Sequence, residues 1–330
     1  MKKSITKKLF IKLCKVLGFE IIDQNEFYSP TLNKSLNNNL SDDSKSIILP
    51  LGEVKLTKKI KSLLILFRTN TNIEIWDQSK KRIFEYPKIE YVLRSLHSLI
   101  KSINYLKEKK KNLNIKVKII DDNSDESNLI KLKNLIEKYE INIEIINHKN
   151  EIHKNEIKNQ KNNETFANLS SLLKSFEIGK DEGDDLVFFV EDDYLHFKTC
   201  LDEMISTYER ISSQTNKDLF VCPSDYPFLY MNDQKTNVLI GSNRHWRTVN
   251  KTLCTFLTSH KFINKYWDNF HNNCLDRNEP FEKYLNMIYE KEMCISPIKS
   301  LSIHLTNINS SYGLSPFIDY KSLWDENNYK

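Results

Sequence analysis

The chain has 330 residues, enough for one large α/β domain or two modest ones. Its formal net charge is only +5, and basic and acidic residues are interleaved, which argues against a nucleic-acid binder with a concentrated basic face. The six cysteines are scattered without a C-x-x-C pair, so the sequence predicts neither a zinc ribbon nor a disulfide framework, and a reducing, cytoplasmic setting is expected.

Residues 1–22 differ in character from the rest of the chain. Lysines alternate there with apolar residues at helical spacing, which predicts a basic amphipathic helix. The segment lacks the apolar core and cleavage site of a signal peptide, and no run in the chain reaches the roughly 18 apolar residues of a membrane span. Two interpretations stay open: peripheral contact with anionic lipid on the inner face of a membrane, or packing on the main domain.

Regular alternation of strand and helix patterns begins after a polar, Asn- and Ser-rich stretch at 23–58, which predicts a linker. The predicted strands are 63–67, 115–120, 141–146, 186–190, 219–222, 237–240 and 248–256. The predicted helices are 89–107, 127–139, 164–178, 198–210, 259–270 and 280–291, and the charged segment 148–163 is expected to be an exposed loop. Strands separated by helices of about ten residues or more predict a parallel sheet.

Three of these strands end in polar or acidic side chains, namely Arg68-Thr69, Asp121-Asp122 and Glu191-Asp192-Asp193. The carboxyl ends of parallel strands share one edge of a sheet, so we expect the three ends to converge on one cleft. Because side chains alternate along an extended chain, Glu191 and Asp193 are expected to point one way and Asp192 the other. Carboxylates suit a hard ion such as Mg²⁺ or Mn²⁺, although an acidic loop capping the next helix is the alternative.

Two of these segments resemble motifs of the GT-A glycosyltransferases of the family 2 type. Ile119-Ile120-Asp121-Asp122-Asn123-Ser124-Asp125-Glu126 is similar to the segment after the second strand of that family. Glu191-Asp192-Asp193 is similar to its metal-binding D-x-D or E-D-D motif, and the order of the two motifs agrees. The resemblance covers roughly residues 60–310. It implies a GT-A α/β fold over residues 59–330, with a mostly parallel sheet flanked by helices, a nucleotide-sugar half at 59–197 and an acceptor half at 198–330.

The family implies transfer of a sugar from a nucleotide-sugar donor, usually a UDP-sugar, to a hydroxyl of a glycan or lipid-linked acceptor, with Mn²⁺ or Mg²⁺ as cofactor. By resemblance, Asp121 would hydrogen-bond the nucleotide base, and Asp193 would bind the metal directly or through water. Glu191 would contact the ribose or a metal-bound water. The other donor-site positions that the resemblance implies are Arg68, Thr69, Asp122 and Asp192.

An inverting transferase of this kind needs a carboxylate base, which the family commonly places at the start of a late helix. Glu282 matches that register best, and Glu279 and Asp276 are the other candidates. Acidic residues are favoured at helix starts in any case, which is the alternative explanation. His304 is a candidate metal or diphosphate ligand by resemblance, against the alternative of a hydrogen-bonded core histidine.

Two further segments are candidates for acceptor binding. Asn243–Thr248 clusters two arginines with Trp246, which could clamp phosphate and stack on a sugar, although a surface β-hairpin would look similar. Asp225, at the end of its own strand, is a comparable acceptor-side candidate. The chain departs from the family pattern in an apparent insertion around 70–90, in Asn123 where glycine is common, and in lacking the Q/R-x-x-R-W motif, which favours a single-transfer enzyme. A nucleotidyltransferase of related fold and a non-catalytic nucleotide- or glycan-binding protein remain as alternatives.

Overall fold

The computed structural model describes residues 5–19, 45–48, 52–72, 83–139, 141–158, 163–231, 233, 235–306 and 311–330. The helices of these residues are α1 (Ile5–Val16), α2 (Lys88–Lys109), α3 (Glu126–Glu137), α4 (Asn163–Glu182), α5 (Cys200–Thr215), α6 (His260–Lys265), α7 (Trp267–Cys274), α8 (Lys283–Tyr289) and α9 (Tyr320–Glu326). The strands are β1 (Lys45–Ile48), β2 (Gly52–Lys55), β3 (Ser62–Thr69), β4 (Asn114–Asp121), β5 (Ile143–Asn147), β6 (Leu186–Glu191), β7 (Tyr194–His196), β8 (Phe220–Val221), β9 (Val238–Ile240), β10 (His245–Thr248), β11 (Phe256–Ser259), β12 (Cys294–Pro297) and β13 (Ser302–His304).

Strands β5, β4, β3 and β6 lie side by side in that order and are all parallel, as the sequence predicts. Strand β3 is buried along its length except at Arg68, which explains why its sequence is a continuous apolar run. The register pairs Arg68 with Glu191 and Thr69 with Asp121. The carboxyl ends of β3, β4 and β6 therefore meet at one edge of the sheet.

Helices cover both faces of this sheet because the side chains of β3 alternate between them. Leu63, Ile65 and Phe67 pack in the same cluster as residues of α2 and α5. Leu64 and Leu66 pack on the other side with residues of α4 and α7. The predicted α/β fold, with a central sheet flanked by helices, is confirmed.

Beyond β6 the sheet becomes mixed. Strand β11 lies antiparallel between β6 and β8, β12 is parallel to β8, and β10 and β9 are antiparallel at the far edge. The prediction of one strand over 248–256 is wrong because the chain turns between β10 and β11, where Leu253 and Cys254 have φ values of 53° and 57°. The sheet is therefore fully parallel over its first four strands and mixed beyond β6.

A separate two-stranded sheet carries the chain away from the acidic segment. Strand β7 pairs with β13, and Tyr194 lies opposite His304 in their register. Two serines of α2 hold the chain on either side of the short connection to α5. Ser98 Oγ accepts a hydrogen bond from the backbone N–H of His196, and Ser102 Oγ accepts one from Leu201, both at 3.0 Å. One helix therefore positions both β7 and the first turn of α5.

The prediction of a linker at 23–58 is wrong for its last part. Strands β1 and β2 form an antiparallel pair, and the backbone carbonyl of Ser46 accepts a hydrogen bond from Arg210 of α5 at 2.8 Å. Thr57 N–H donates to Ser213 Oγ at 3.0 Å. Residues 45–48 and 52–58 therefore pack on α5, and residues 20–44 and 49–51 lie outside the described residues.

Two smaller predictions also change. The segment 148–163 is not wholly exposed, because His148 and His153 are buried and both rings lie 2.9 Å from Ser170 Oγ of α4. The single helix predicted at 259–270 divides at Tyr266 into α6 and α7. Most of the insertion predicted around 70–90 falls at 73–82, outside the described residues.

Helix α1 is present as predicted, and it contains no buried residue. In the part of the chain that the structure describes, none of the helices combines the length and the apolar character that crossing a bilayer requires.

Candidate active site

A cavity of about 650 Å³ opens at the carboxyl ends of β3, β4 and β6. Side chains from all three acidic or polar strand ends line it. Other parts of the wall come from α2 and α4, the turn between β10 and β11, the segment 277–282 and the start of α8, and the chain around β13. This volume lies in the range of small-ligand sites. The structure thus brings the three predicted strand ends to one cavity.

Arg68 and Glu191 form an ion pair in the cavity wall between neighbouring strands, with Arg68 Nη2 on Glu191 Oε1. The other guanidinium nitrogen contacts Asn168 Oδ1 and lies 3.2 Å from Ser171 Oγ, both on α4. Burial raises the pKa of Glu191, although the charge of Arg68 opposes that rise. Asn168 and Ser171 were missed in the sequence because nothing in an isolated helix indicates which turn faces a strand end.

The expectation that Asp192 points away from its neighbours is wrong. Asp192 lines the same cavity, where its Oδ2 accepts hydrogen bonds from Thr69 Oγ1 at 2.8 Å and from the backbone N–H of Asn70 at 3.1 Å. Lys88 Nζ, at the start of α2, lies 3.3 Å from the same oxygen. Strand alternation does not apply because the extended chain ends at Glu191 and turns.

Asp193 lies against residues at the end of β13 and just beyond it. Its Oδ2 accepts a hydrogen bond from Thr306 Oγ1 at 2.5 Å and lies 3.1 Å from His304 Nε2. Burial alone would raise the pKa of Asp193, but His304 and Thr306 together hold it below its usual value. Burial alone would lower the pKa of His304, but the Asp193 carboxylate, the Tyr312 carbonyl and Glu191 together raise it above its usual value.

The His304 ring is fixed on two sides. Its Nδ1 lies 3.1 Å from the backbone carbonyl of Tyr312, and the ring stacks on Tyr194 with a centroid distance of 4.8 Å. An imidazole held through Nδ1 presents Nε2 in a fixed direction, which is the arrangement of a metal-binding histidine. Thr306 could have been found from the sequence, since a residue two places after His304 shares its side of an extended chain.

The side chains around Asp193 supply only some of the ligands that a divalent ion needs. In the described residues, no group of three His, Cys, Asp or Glu side chains has the arrangement of a metal site. Asp193 and His304 are in contact, Glu191 is paired with Arg68, and the buried Asp193 Oδ1 has no hydrogen-bond partner in the part of the chain that the structure describes. Two protein ligands are nevertheless what Mg²⁺ commonly uses when substrate phosphates and water supply the rest of its shell.

The two aspartates after β4 differ in position. Asp122 lines the cavity and accepts a hydrogen bond from Asn70 Nδ2 at 3.3 Å. Asp121 is fully buried, is not part of the cavity wall, and accepts a hydrogen bond from the backbone N–H of Ser124 at 3.1 Å. Burial raises the pKa of both carboxyls. Asn123, which comes next, has a φ of 60°, a left-handed conformation that glycine adopts freely and asparagine tolerates.

The three candidates for the general base differ in burial and in position relative to the cavity. Glu282 caps the start of α8 and is almost fully buried, and its carboxylate accepts hydrogen bonds from Thr252 Oγ1 at 3.0 Å, from Leu253 N–H at 2.8 Å and from Cys254 N–H. Glu279 also lines the cavity, but its side chain is 86% exposed. Asp276 is exposed and is not part of the cavity wall.

The acceptor-side assignments at 243–248 and at Asp225 are wrong. Trp246 is completely buried and therefore cannot stack on a sugar. Arg247 forms a buried ion pair with Asp225 and lies over the Tyr230 ring at 4.2 Å. Arg244 is bound to Glu203, with Nε 2.5 Å from its Oε2. Each of these groups stabilises the mixed part of the sheet, and none lines the cavity.

Lys251 is a cavity residue that the sequence did not indicate. Its Nζ donates to Tyr312 Oη at 3.2 Å and lies 5.4 Å from the centre of the Phe228 ring. The other cationic groups of the wall, Arg68, Lys88 and Arg277, lie within 4.0 Å of a carboxylate. In the described residues, no such carboxylate neighbour occurs at Lys251. Its ammonium is therefore the group best placed to meet an incoming anion.

No protein-family model and no curated protein matches the chain. It is similar to solved structures that include TarS 1–349 of S. aureus (12% identity, TM-score 0.41, 73% of this chain and 59% of that chain). Another is the galactosyltransferase LgtC in complex with donor and acceptor sugar analogues (10% identity, TM-score 0.33, 70% of each chain). A third is the inositol-1-phosphate CTP transferase of T. maritima (11% identity, TM-score 0.38, 81% of this chain and 96% of that chain).

GT-A glycosyltransferases are thus among the structural neighbours of this chain, together with a nucleotidyltransferase. The chain spans less than two thirds of the TarS fragment. All three TM-scores are below 0.5, so this likeness carries no argument about function, which has to be argued from the residues of the cavity.

Proposed function

We propose that the protein is a metal-dependent glycosyltransferase that moves a sugar from a UDP-sugar to a hydroxyl of a glycan or lipid-linked acceptor, with inversion at the transferred carbon. One observation carries the proposal. Asp193, at the carboxyl end of a buried parallel strand, pairs with His304 through one oxygen, while its other oxygen is buried beside the cavity and has no hydrogen-bond partner among the described residues. An unsatisfied buried carboxylate oxygen is costly, and a ligand that binds there removes that cost.

Asp193 and His304 would hold Mn²⁺ or Mg²⁺ together with phosphate oxygens of the donor, and the ion would neutralise the charge that develops on the leaving diphosphate. His304 would have to lose its proton to bind the ion, so its raised pKa predicts that metal binding strengthens as pH rises. Glu191 would remain in its ion pair with Arg68, in the adjoining part of the cavity wall.

The nucleoside would bind between the ends of β3 and β4. Asp122 offers a carboxylate in the cavity wall there, and Arg68 and Thr69 fix the neighbouring carboxylates Glu191 and Asp192. Asp121 supports this region from beneath by holding the turn at Ser124. We therefore assign the direct contact with the nucleoside to Asp122 and a positioning role to Asp121.

We assign the general base to Glu279. A base needs a free lone pair within reach of the acceptor hydroxyl. Both oxygens of Glu282 already accept hydrogen bonds, and Asp276 lies outside the cavity wall. Glu279 lies in the wall, and the nearest cationic group with which it pairs is Arg277 Nε at 3.9 Å. Glu282 is then a positioning residue that holds the turn before β11.

In the transfer step, the acceptor oxygen attacks the anomeric carbon from the side opposite the diphosphate. The carbon–oxygen bond to the diphosphate breaks, and its electron pair leaves with the phosphate oxygen. Glu279 takes the proton of the acceptor hydroxyl, so charge and atoms balance. Lys251 donates hydrogen bonds to the departing diphosphate, and Tyr312 holds the ammonium in place.

Calorimetric titration of UDP into the full chain, with Mn²⁺ and then with EDTA, tests the donor site. We expect binding that requires Mn²⁺ and that weakens roughly tenfold or more in Asp193→Ala, a loss of at least about 1.4 kcal/mol. Asp184→Ala is the matched control, because Asp184 is an exposed aspartate before the other end of the same strand, β6.

Mn²⁺-independent UDP binding that Asp193→Ala leaves unchanged would contradict the metal assignment. If UDP does not bind, GDP, CMP and dTDP are titrated under the same conditions, and failure of all four would overturn the donor site. Release of a nucleoside diphosphate from a nucleotide-sugar would then support transfer. Release of pyrophosphate from a nucleoside triphosphate and a sugar phosphate would instead identify a nucleotidyltransferase.

A further inference from the structure

Helix α1 has an apolar face that no described part of the chain covers. Ile5, Leu9, Leu13 and Val16 fall on one side of the helix at its natural spacing. Their side chains are 57–79% exposed, and no residue of the helix is buried. A contiguous exposed apolar face of this kind marks an interaction site.

One flank of this apolar face is basic. Lys8, Lys12 and Lys15 lie within an arc of about 60° beside Ile5, Lys7 and Ile11 fall on the remaining side, and the twelve-residue helix contains no acidic residue. A lysine cluster beside an exposed apolar face is typical of helices that lie at a lipid–water interface.

We propose that α1 docks the protein on an anionic lipid bilayer, with its axis in the plane of the interface. The apolar face would insert among the upper acyl chains, and the lysines would remain at the level of the lipid phosphates. Twelve residues rise about 18 Å, well short of the roughly 30 Å of a hydrocarbon core, so the helix lies along the bilayer and does not cross it.

The positive charge of α1 favours an anionic bilayer over a second copy of the chain as the partner of this helix. Two α1 helices packed through their apolar faces would bring the flanking lysines Lys8 and Lys12 of both helices close together without one acidic residue of either helix between them. Anionic headgroups supply the missing counter-charge. The inference uses no residue of the cavity, so it stands or falls separately from the proposed transferase activity.

Co-sedimentation of the full chain with vesicles tests the proposal. One set of vesicles is phosphatidylcholine alone, and the other mixes phosphatidylcholine with phosphatidylglycerol. We expect binding to the anionic vesicles, weakened by added salt, and little binding to the neutral ones. Lys8→Gln with Lys12→Gln should weaken anionic binding on the order of 30-fold, since each lysine near such a surface contributes about a factor of five. Leu9→Ala with Leu13→Ala should abolish it.

The matched control is Lys131→Gln with Lys133→Gln, which removes the same charge from an exposed face of α3. This control should bind like the wild type. Equal binding to both kinds of vesicle, absence of binding to anionic vesicles, or wild-type binding by the leucine double variant would each overturn the proposal. A concentration-dependent dimer that the leucine variant abolishes would show instead that a second copy covers the face. Unchanged thermal unfolding of each variant excludes misfolding as the cause.

Discussion

Glu282 Oε2 accepts a hydrogen bond from the backbone N–H of Leu253 at 2.8 Å, across a separation of 29 positions in the sequence. Its other oxygen accepts from the N–H of Cys254 and from Thr252 Oγ1. Leu253 and Cys254 both have positive φ, a conformation that costs a non-glycine residue about 1–3 kcal/mol. One buried carboxylate therefore stabilises a strained turn that forms part of the cavity wall.

Replacing Glu282 by glutamine should destabilise the fold. The amide would turn an NH₂ group toward one of the two backbone donors, which would then be left unsatisfied at a cost of about 1–3 kcal/mol. Thermal and urea unfolding measure this loss. Glu290→Gln, at the exposed end of the same helix, is the control and should change stability by less than about 0.5 kcal/mol. Equal stability of Glu282→Gln and wild type would contradict the positioning role.

Replacing Glu279 by glutamine should slow sugar transfer without weakening donor binding. Removal of a general base typically lowers turnover by a factor of about 10² to 10⁴. Steady-state kinetics with the donor identified by calorimetry separate the two effects, because kcat should fall while the Kd of the nucleoside diphosphate stays constant. Asp276→Asn provides the control, since Asp276 lies three residues away and outside the cavity wall. If kcat fell in Asp276→Asn but not in Glu279→Gln, the general base would be Asp276 and not Glu279.

Replacing Lys251 by glutamine should weaken binding of a nucleoside diphosphate more than binding of the matching nucleoside. A hydrogen bond to a charged group contributes about 1.5–3 kcal/mol, so the Kd should rise roughly 10- to 150-fold. Lys251→Arg should recover part of the affinity because it keeps the charge. Calorimetry on UDP and uridine gives the comparison, and an equal loss for both ligands would argue that Lys251 only maintains the wall.

The ion pair of Asp193 with His304 predicts a defined pH dependence of stability in EDTA. The pKa of His304 is raised from its usual 6.5, so its contribution is complete below pH 6.5 and is lost as pH rises through the higher folded value. The pKa of Asp193 is lowered from 3.8, so its contribution is present above pH 3.8 and is lost as pH falls through the lower folded value.

His304→Gln should therefore lower the melting temperature most between pH 3.8 and pH 6.5, and the difference from wild type should shrink at alkaline pH. Melting curves of both proteins across this range test the prediction. His245→Gln, at an exposed histidine of β10, should show no such dependence. A difference that stays constant from acid to alkaline pH would mean that the loss comes from packing on Tyr194 rather than from charge.

The parallel half of the fold could be predicted from the sequence because its signals are local. Strands such as β3 and β6 are buried on both faces and therefore read as unbroken apolar runs, and the polar residues at their ends must share an edge. The turn before β11 has no such signal. Leu253 and Cys254 are not residues that usually adopt positive φ, and the group that stabilises them is distant in the sequence.

Trp246 shows why the acceptor-side predictions were wrong. Its neighbours Arg244 and Arg247 suggested a cluster that binds phosphate and sugar, but the indole is completely buried. A Cβ at Gly241 would overlap the Trp246 indole, so the site depends on the close approach of a glycine backbone. The arginines are bound to Glu203 and Asp225, and neither pairing is visible from local sequence.

The hydrogen bonds of two serines in α2 limit where the chain could be divided to exchange its two halves. Ser98 and Ser102 fasten the backbone on both sides of residue 198, where the notional boundary between a donor half and an acceptor half falls. Strand β11 also returns from the later part of the chain to pair with β6. The two halves therefore share a scaffold, and exchanging the later half between related chains at this junction would break the Ser102–Leu201 hydrogen bond and the pairing of β6 with β11, which neither half can form alone.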